Sequence, residues 1–472
     1  MLNTQVMHSV CYEHDYLAAI GREVSHSQNL SSGRTIHLIA GSLFDELFTD
    51  FADIGHDLGL GKTLNTQIKS TETKNTETQS AKVQWLVRDW IGRQPVLKIQ
   101  HYVGVVQSRN GHMLEILPKT GKHGQSASDL RLVLLRMLQA LPDIPFKMLP
   151  QSALQQLAKM PLREVFVQQA LRVWQGMFQR GLKQRYQSHE DNLPLLRGRL
   201  LIQQQLKHNH SHQARFYSEQ DNHSRNCPEN RIIRLALQYV LQLVGSAEQL
   251  DHVQRLIAQL SDVPASTAPA QDFKRIVLDR NSQHYSAGLQ WARLIIDGFR
   301  PITGAGQQLA FSLLFDMNKL FEQFVAQQLS QQLLPNYSLS RQPSTMALLQ
   351  VGSQSHQRLR PDLMLYQGQQ PYAILDSKWK IRQGQTFAEL KPHDNDLYQM
   401  FAYAAAYLPQ GGEVCLIYPK TPQFSRAVEP LAFTHIRDAK VNLWLLPFCL
   451  DSGQLMDVPF VMSKPYGLTQ IA

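Results

Sequence analysis

Two aspartates and a lysine near residue 370 have the types and spacing needed to break a phosphodiester bond. In RPDLMLYQGQQPYAILDSKWK, Arg360 to Lys380, Asp362 precedes the apolar run LMLY and Asp376 closes the apolar run YAIL. Two short adjacent strands would bring both carboxylates to one Mg2+ (Mn2+ is a possible substitute), whose octahedral shell takes a few protein oxygens and keeps several waters. Ser377 can lend its backbone carbonyl to the same ion. Lys378 lies two residues beyond Asp376, so on a strand both side chains share a face. There its ammonium can orient a metal-bound water and stabilise charge developing on a phosphate. The plainer reading makes Asp376 and Lys378 surface strand residues and Asp362 a turn former.

The flanking elements favour the first reading. LLFDMNKLFEQFVAQQL reads as a helix with a core face through Leu314, Met317, Phe321, Phe324 and Val325. Glu322 falls at the margin of that face, within reach of a metal at the seam between helix and sheet. On the helix after the strands, Leu397, Phe401, Ala404 and Leu408 are the expected buried stripe. Gln399 and Tyr403, four residues apart, then share the opposite face, where they can meet a nucleic-acid backbone and support the lysine. Helix, strand, strand, helix, strand, with acids at strand ends, is the order a metal nuclease core requires.

Bulk composition narrows the class. A length of 472 residues suggests about three domains. The charge of +9 favours a polyanionic partner, although solubility alone would explain it equally well. The cysteines, Cys11, Cys227, Cys415 and Cys449, lie far apart without a Cys-x-x-Cys pair, so neither a disulfide framework nor a zinc site is expected. The N-terminal text lacks the basic and apolar segments of a signal peptide, and no apolar run reaches the roughly 18 residues of a membrane span. A soluble cytoplasmic protein with no membrane partner is expected.

Along the chain, VQWLVRDWI, VLKIQHYVGVVQ and MLEILPK read as strands, the last two joined through Arg109-Asn110-Gly111-His112 as a hairpin. From about Asp129 the period becomes helical, through LRLVLLRMLQAL, LREVFVQQALRVWQGMF and ENRIIRLALQYVLQLV. The expected architecture is mixed α+β and α/β in several domains. A β-rich N-terminal domain occupies 1–145, with a polar linker at about 64–82. A helical middle domain spans 146–304, ending near Pro301 and Gly304-Ala305-Gly306, and an α/β domain spans 305–472. Two motifs are set aside. Gly59-Leu60-Gly61-Lys62-Thr63 puts His56 where a phosphate loop needs glycine, and a polar linker follows it, so it reads as a loop. His208, His210 and His212 alternate in KHNHSH but lack further ligands, so a solvated loop is favoured over a metal site.

Glu322, Pro361-Asp362, Asp376-Ser377-Lys378 and Gln399-x-x-x-Tyr403 resemble the motifs of PD-(D/E)xK nucleases, including the QxxxY element of some branches. More narrowly, LFEQFVAQQL, RPDLMLY, AILDSKWK, LYQMFAYAAAY and the strand ending Ile417-Tyr418-Pro419 resemble the McrC family, the nuclease subunits of McrBC-type modification-dependent restriction systems. LRGRL and CPENRIIRLAL resemble that family's central segment, and YVGVVQ with LEILPK its N-terminal half. The resemblance runs from about Tyr102 to Lys420, is strongest in the C-terminal third, and leaves residues 1 to about 80 unmatched. It implies a restriction-endonuclease-like C-terminal domain in which Asp362, Asp376 and Glu322 bind Mg2+ and Lys378 positions the attacking water. Gln399 and Tyr403 would support the lysine and the scissile phosphate. It further implies a McrB-like AAA+ ring as partner, which binds GTP and reads modified cytosine in double-stranded DNA, and whose hydrolysis this chain would stimulate. Arg197 and Arg199 of LRGRL read as structural or DNA-contacting. A stand-alone repair or resolvase-type nuclease and a non-catalytic ring adaptor are the alternatives.

Overall fold

The computed structural model describes residues 8–19, 28–29, 35–49, 85–108, 111–122, 124–142, 144–146, 149–210, 214–300, 310–351, 354–433 and 440–458. The Gly59–Thr63 loop, the polar linker, His212 and the Pro301–Gly306 boundary lie outside the described residues. The chain divides into two compact units, residues 1–162 with 302–472, and residues 163–301. Sheets and helices alternate through both, a mixed α/β architecture.

In the first unit, two sheets form the N-terminal half. Strands Gln28–Asn29, Thr35–Ile39, Tyr16–Ala19, Gln94–Ile99 and Leu86–Ile91 lie side by side in that order. In the other sheet His8–Tyr12, Met113–Leu117, Tyr102–Gln107 and Ala310–Asp316 are neighbours. The expected hairpin is there, with Gly104 opposite Ile116 and Gln107 opposite Met113. Gly104 is required: its φ is +139°, and a Cβ at this position would lie 2.0 Å from the Leu313 carbonyl oxygen. That close approach docks Ala310–Asp316 onto the sheet.

Here the sequence expectation needs a correction. Residues 313–315 are strand, not helix, and the helix starts at Met317. The text FSLLFD fits either period, and an available sheet edge decides for period two: Phe311 to Asp316 pair with Gln107 to Tyr102. Asp316 then caps the helix, its carboxylate accepting from Asn318 N at 2.9 Å. Helix Met317–Gln332 buries Met317, Leu320, Phe321, Phe324, Val325, Ala326 and Leu329.

The C-terminal part of this unit is a larger sheet. Its strands run Tyr337–Arg341, Leu363–Gln367, Gln370–Ser377, Gly412–Pro419, Val441–Cys449 and Leu431–Ala432. The first three pair antiparallel, and Gln370–Ser377, Gly412–Pro419 and Val441–Cys449 pair in parallel. Central position explains the unbroken apolar text VCLIY, buried on both faces. Helix Asp394–Tyr407 forms the crossover between the first two parallel strands.

The second unit carries helices Leu162–Gln179, Pro228–Leu243, Ala247–Ala258 and Ser286–Gly298. It is not all helix, contrary to expectation. Arg185–Leu193 and Phe216–Ser224 form a nine-residue antiparallel ladder, flanked by Arg199–Leu200. RYQSHEDNL and FYSEQDNHS lack apolar alternation, so their pairing left no signature in the pattern. The CPEN text has a structural role. Pro228 opens the helix, the Glu229 carboxylate accepts from Lys183 at 2.9 Å and Arg185 at 2.8 Å, and Asn230 donates to the Lys183 and Arg225 carbonyls. Arg197 and Arg199 are exposed. His208 ends helix Ile202–His208, its ring 5.2 Å from that of Tyr217.

The N-terminal half buries three acids completely, Glu13, Asp15 and Glu115. Glu115 takes a bidentate pair from Arg131 at 2.6 and 2.8 Å, and Asp15 accepts from Lys119 Nζ, Thr35 N and His37. Glu13 has no comparable cation: one oxygen accepts from Lys119 N at 2.9 Å and Trp379 Nε1 at 2.6 Å, and the other makes no hydrogen bond. Burial pushes this carboxyl up from 4.5 to about 7. A raised carboxyl favours the fold fully only below its unfolded value, and that contribution disappears as pH rises through about 7, a cost on the order of 3 kcal/mol. Glu13→Gln keeps the acceptor and removes the charge, so its melting temperature should fall less than that of the native chain between pH 5 and pH 8. Glu13→Ala, which strands two buried donors, should lose about 1–3 kcal/mol at pH 5 in denaturant titrations, and less at pH 8, where it also removes the buried charge.

Candidate active site

Strand pairing brings the two aspartates together. Leu363 pairs with Leu375, so Asp362, one residue earlier, stands across the ladder from Asp376. Ser377 fixes the first carboxylate: its backbone N–H donates to Asp362 Oδ2 at 2.8 Å and its hydroxyl at 3.0 Å. Asp376, 1% exposed, closes strand Gln370–Ser377. Lys378 continues the same edge, its N–H bonded to the Ile417 carbonyl at 2.8 Å. The period-two expectation holds, for Lys378 Nζ lies 2.7 Å from Asp376 Oδ2. Asp376 Oδ2 is buried, and this ammonium is the partner that faces it.

Glu322 joins this cluster from its helix. Its Oε1 accepts from Gln342 Nε2 at 2.7 Å. Gln342 also donates its backbone N–H to the Asp362 carbonyl at 2.9 Å, and it sits in the left-handed region at φ +44°. A non-glycine residue held there carries backbone strain, which the surroundings must hold in place. Nothing in the text marked Gln342, because its role comes from a kink.

The lysine is held from its other side by a relay. Lys378 Nζ donates to Gln399 Oε1 at 3.1 Å, Gln399 Nε2 donates to the Tyr403 hydroxyl at 2.8 Å, and that hydroxyl donates to the Arg360 carbonyl at 2.8 Å. The acceptor at Arg360 fixes the direction of the tyrosine proton, which fixes the amide, which presents its oxygen to the ammonium. Gln399 and Tyr403 do face the lysine, but the burial expected for their helix needs correction. Of the expected stripe, Ala404 and Leu408 are buried and Leu397 packs on the core, whereas Phe401 is exposed; Asp396, Met400, Tyr403 and Tyr407 are buried besides. Tyr403 and Tyr407 turn inward instead, their hydroxyls donating to the Arg360 and Leu359 carbonyls at 2.8 Å each. The one Tyr403 hydroxyl proton is thus committed to the Arg360 carbonyl.

Electrostatics follow from crowding three acids around one cation. Burial and the negative charge of Asp362 push Glu322 up to about 7, and the same two causes push Asp376 up to about 7. Burial also raises Asp362. For Lys378 burial works against the charged form, but the field of Asp376 outweighs it and the ammonium is retained. Next in sequence, Trp379 packs on Phe321 with ring centres 5.3 Å apart and donates to Glu13. Lys380 pairs with Asp396 at 2.7 Å. Neither was singled out in the text.

The donor set suits a hard divalent cation. Asp376 Oδ2 is a buried oxygen that meets one ammonium, and the negative charge of Asp362 acts on it, a repulsion such an ion would relieve. Among the described residues no three His, Cys, Asp or Glu side chains are grouped tightly enough to hold a metal alone. An Mg2+ ion held by two of these carboxylates would need water and backbone oxygen to complete its shell.

Glu322→Gln should stabilise the chain at pH 8 in chelator. Because its carboxyl is raised to about 7, the native residue favours the fold below about 4.5 and loses that contribution through pH 7. Glu322 is partly exposed, so the expected gain is only a few tenths to about 1 kcal/mol. It should vanish at pH 4 in matched thermal melts.

Residues 97–419 match the family described as McrBC 5-methylcytosine restriction system component, close to the Tyr102–Lys420 span expected from the text. No curated protein matches the chain. A similar solved structure is the refined half-complex from the tetradecameric assembly of Thermococcus gammatolerans McrB AAA+ hexamers with bound McrC. It is 17% identical, with 94% of this chain and 95% of that chain covered and a TM-score of 0.61, so the two share a fold. The cryo-EM structure of the Thermococcus gammatolerans McrBC complex is 19% identical over 68% of this chain and 86% of that one. Its TM-score of 0.43 is too low to carry an argument. With more than half of its length matched, the chain belongs to the McrBC 5-methylcytosine restriction system component family.

Proposed function

We propose that this chain is the McrC-type nuclease subunit of a McrBC restriction system, an Mg2+-dependent endonuclease of the PD-(D/E)xK class that cuts double-stranded DNA bearing modified bases. The observation that carries this reading is the ammonium of Lys378. It is held between Asp376 and Gln399, on the strand edge that also places Asp362. A surface ion pair needs no such buttress. Family membership supports the system assigned.

In this reading Asp362 and Asp376 hold the ion, with Glu322 completing or assisting its surroundings. Bound there, the ion would lower the pKa of a water and neutralise charge on the phosphate. The chain's own groups do the rest. Lys378 orients the attacking water and offers positive charge to the non-bridging phosphate oxygens as the bond to the leaving oxygen breaks. Gln399 and Tyr403 keep the ammonium at its station, so that little reorganisation is needed when the phosphate arrives. Glu322 and Asp376, both raised to about 7, bind protons in the absence of the cation, and metal loading therefore strengthens as pH rises through 7.

The partner in this reading is a McrB-like AAA+ ring. That protein would bind the GTP and read the modified base, while the N-terminal and middle segments of this chain dock onto it and stimulate its hydrolysis. The fold shared with McrC bound to McrB hexamers supports this division. Among the described residues no helix is long and apolar enough to cross a membrane, and the four cysteines are free.

Asp376→Ala should lower cleavage of modified duplex by about a thousandfold or more while leaving assembly with the ring intact. Persistent cutting by that variant would refute the assignment. Tyr403→Phe should lose about 1 kcal/mol of stability and about tenfold in kcat, with KM for DNA unchanged. Gln399→Ala should do the same, and the double variant should be no worse than either single one, since both break one relay.

A further inference from the structure

Between strand Tyr337–Arg341 and Asp362 the chain departs from the large sheet to form a two-stranded ribbon, Ala347–Val351 against Gln354–Arg358. Its root is fixed. Met346 and Leu359 are joined by a backbone bond at 2.9 Å, and the Tyr407 hydroxyl accepts from Met346 N and donates to the Leu359 carbonyl. Gln342 and Arg360, on the two sides of the root, are the residues bonded to Glu322 and Tyr403. The ribbon is therefore anchored to the catalytic residues from both ends.

Its blade is bare. Every residue of Gln354–Arg358 is exposed, and Met346, Leu348 and Leu349 are 44%, 58% and 57% exposed. A lone two-stranded ribbon is marginal in water, and its apolar groups find no cover among the described residues. A ribbon kept in this form next to an active site is shaped for a partner.

We propose that this ribbon is a DNA-contacting arm that enters a groove of the duplex beside the scissile phosphate. The inference rests on the nuclease reading of the neighbouring carboxylates. Charge selects the occupant: residues 341–360 contain Arg341, His356, Arg358 and Arg360 and no acidic residue, although acids crowd the adjoining site. Size agrees. Strands of five residues extend roughly 16 Å, and the major groove, about 12 Å wide, admits a two-stranded ribbon. Proximity agrees as well, for Asp362 follows the ribbon by four residues, so a duplex giving its phosphate to Lys378 passes within the arm's reach. Exposed leucines would then meet thymine methyls or sugar edges, and arginines the phosphates on either side.

Two variants of the full chain test this. In the first, residues 347–358 are replaced by Gly-Gly, a turn that the existing Met346–Leu359 bond is placed to close. The second, His356→Glu with Arg358→Glu, keeps the ribbon and reverses its charge. Each is made alone and with Asp376→Ala, and titrated with a 30-base-pair modified duplex, with and without the reconstituted ring. Expected is a loss of duplex affinity of about tenfold or more in both, with a shallower dependence on salt for the charge reversal. Cutting should fall in step, and the melting temperature should stay unchanged. Unaltered affinity in the charge-reversed chain would overturn the proposal. So would a loss of self-association with affinity intact, which would make the ribbon a contact between copies. Affinity judges the ribbon and cutting by Asp376→Ala judges the carboxylates, so the two readings fail separately.

Discussion

Three acidic side chains act on one another at the end of a central strand of the large sheet, where Asp376 pairs with the Lys378 ammonium and water reaches poorly. Coulomb repulsion among Asp362, Asp376 and Glu322 is the constraint to which the surrounding architecture responds. Left alone it would drive the acids apart or protonate them, and burial together with this repulsion raises Glu322 and Asp376 toward the second outcome. Ser377 at Asp362, Gln342 at Glu322 and Lys378 at Asp376 each offset part of it. A cluster so arranged lowers stability, a cost that preorganised sites commonly carry.

Rigid supports hold that arrangement. The carboxylates and lysine sit at ends of paired strands, and the crossover helix adds the Gln399–Tyr403 relay. One turn further, Tyr407 clamps the root of the exposed ribbon, so a single helix face serves both the lysine and the arm beside it. Displacement of the ribbon by a ligand would therefore be felt at Arg360 and, through Tyr403, at the ammonium. Coupling of this kind needs only hydrogen bonds in series, each with one acceptor available.

The N-terminal half is connected to the same place. Trp379 follows Lys378 directly, packs on the helix that bears Glu322, and is hydrogen-bonded to the buried Glu13. Residues 1–162 and 302–472 accordingly form one unit, despite their separation along the chain. In the proposed function this joins the segment that docks on a ring to the strand edge that cuts, by one indole N–H in a site where charge is poorly tolerated.

The placement of the acids, the lysine and the Gln399–Tyr403 pair was legible in the text because it is local. Asp376 and Lys378 share a face by strand period alone, Gln399 and Tyr403 share one by helical period, and the apolar runs identify the strands that carry the acids. The helix limits near Met317, the mixed character of residues 163–301 and the stripe on Asp394–Tyr407 were misread for a common reason. Each was settled by a partner distant in sequence: a sheet edge for FSLLFD, a cross-strand neighbour for polar RYQSHEDNL, and backbone carbonyls for two tyrosine hydroxyls. Gln342, Ser377 as clamp, Trp379 with Glu13, and the bare ribbon were equally invisible. Periodicity states which residues can face one way; only the folded chain decides what stands opposite them, because hydrogen bonds and charge pairs depend on distances that sequence separation does not set.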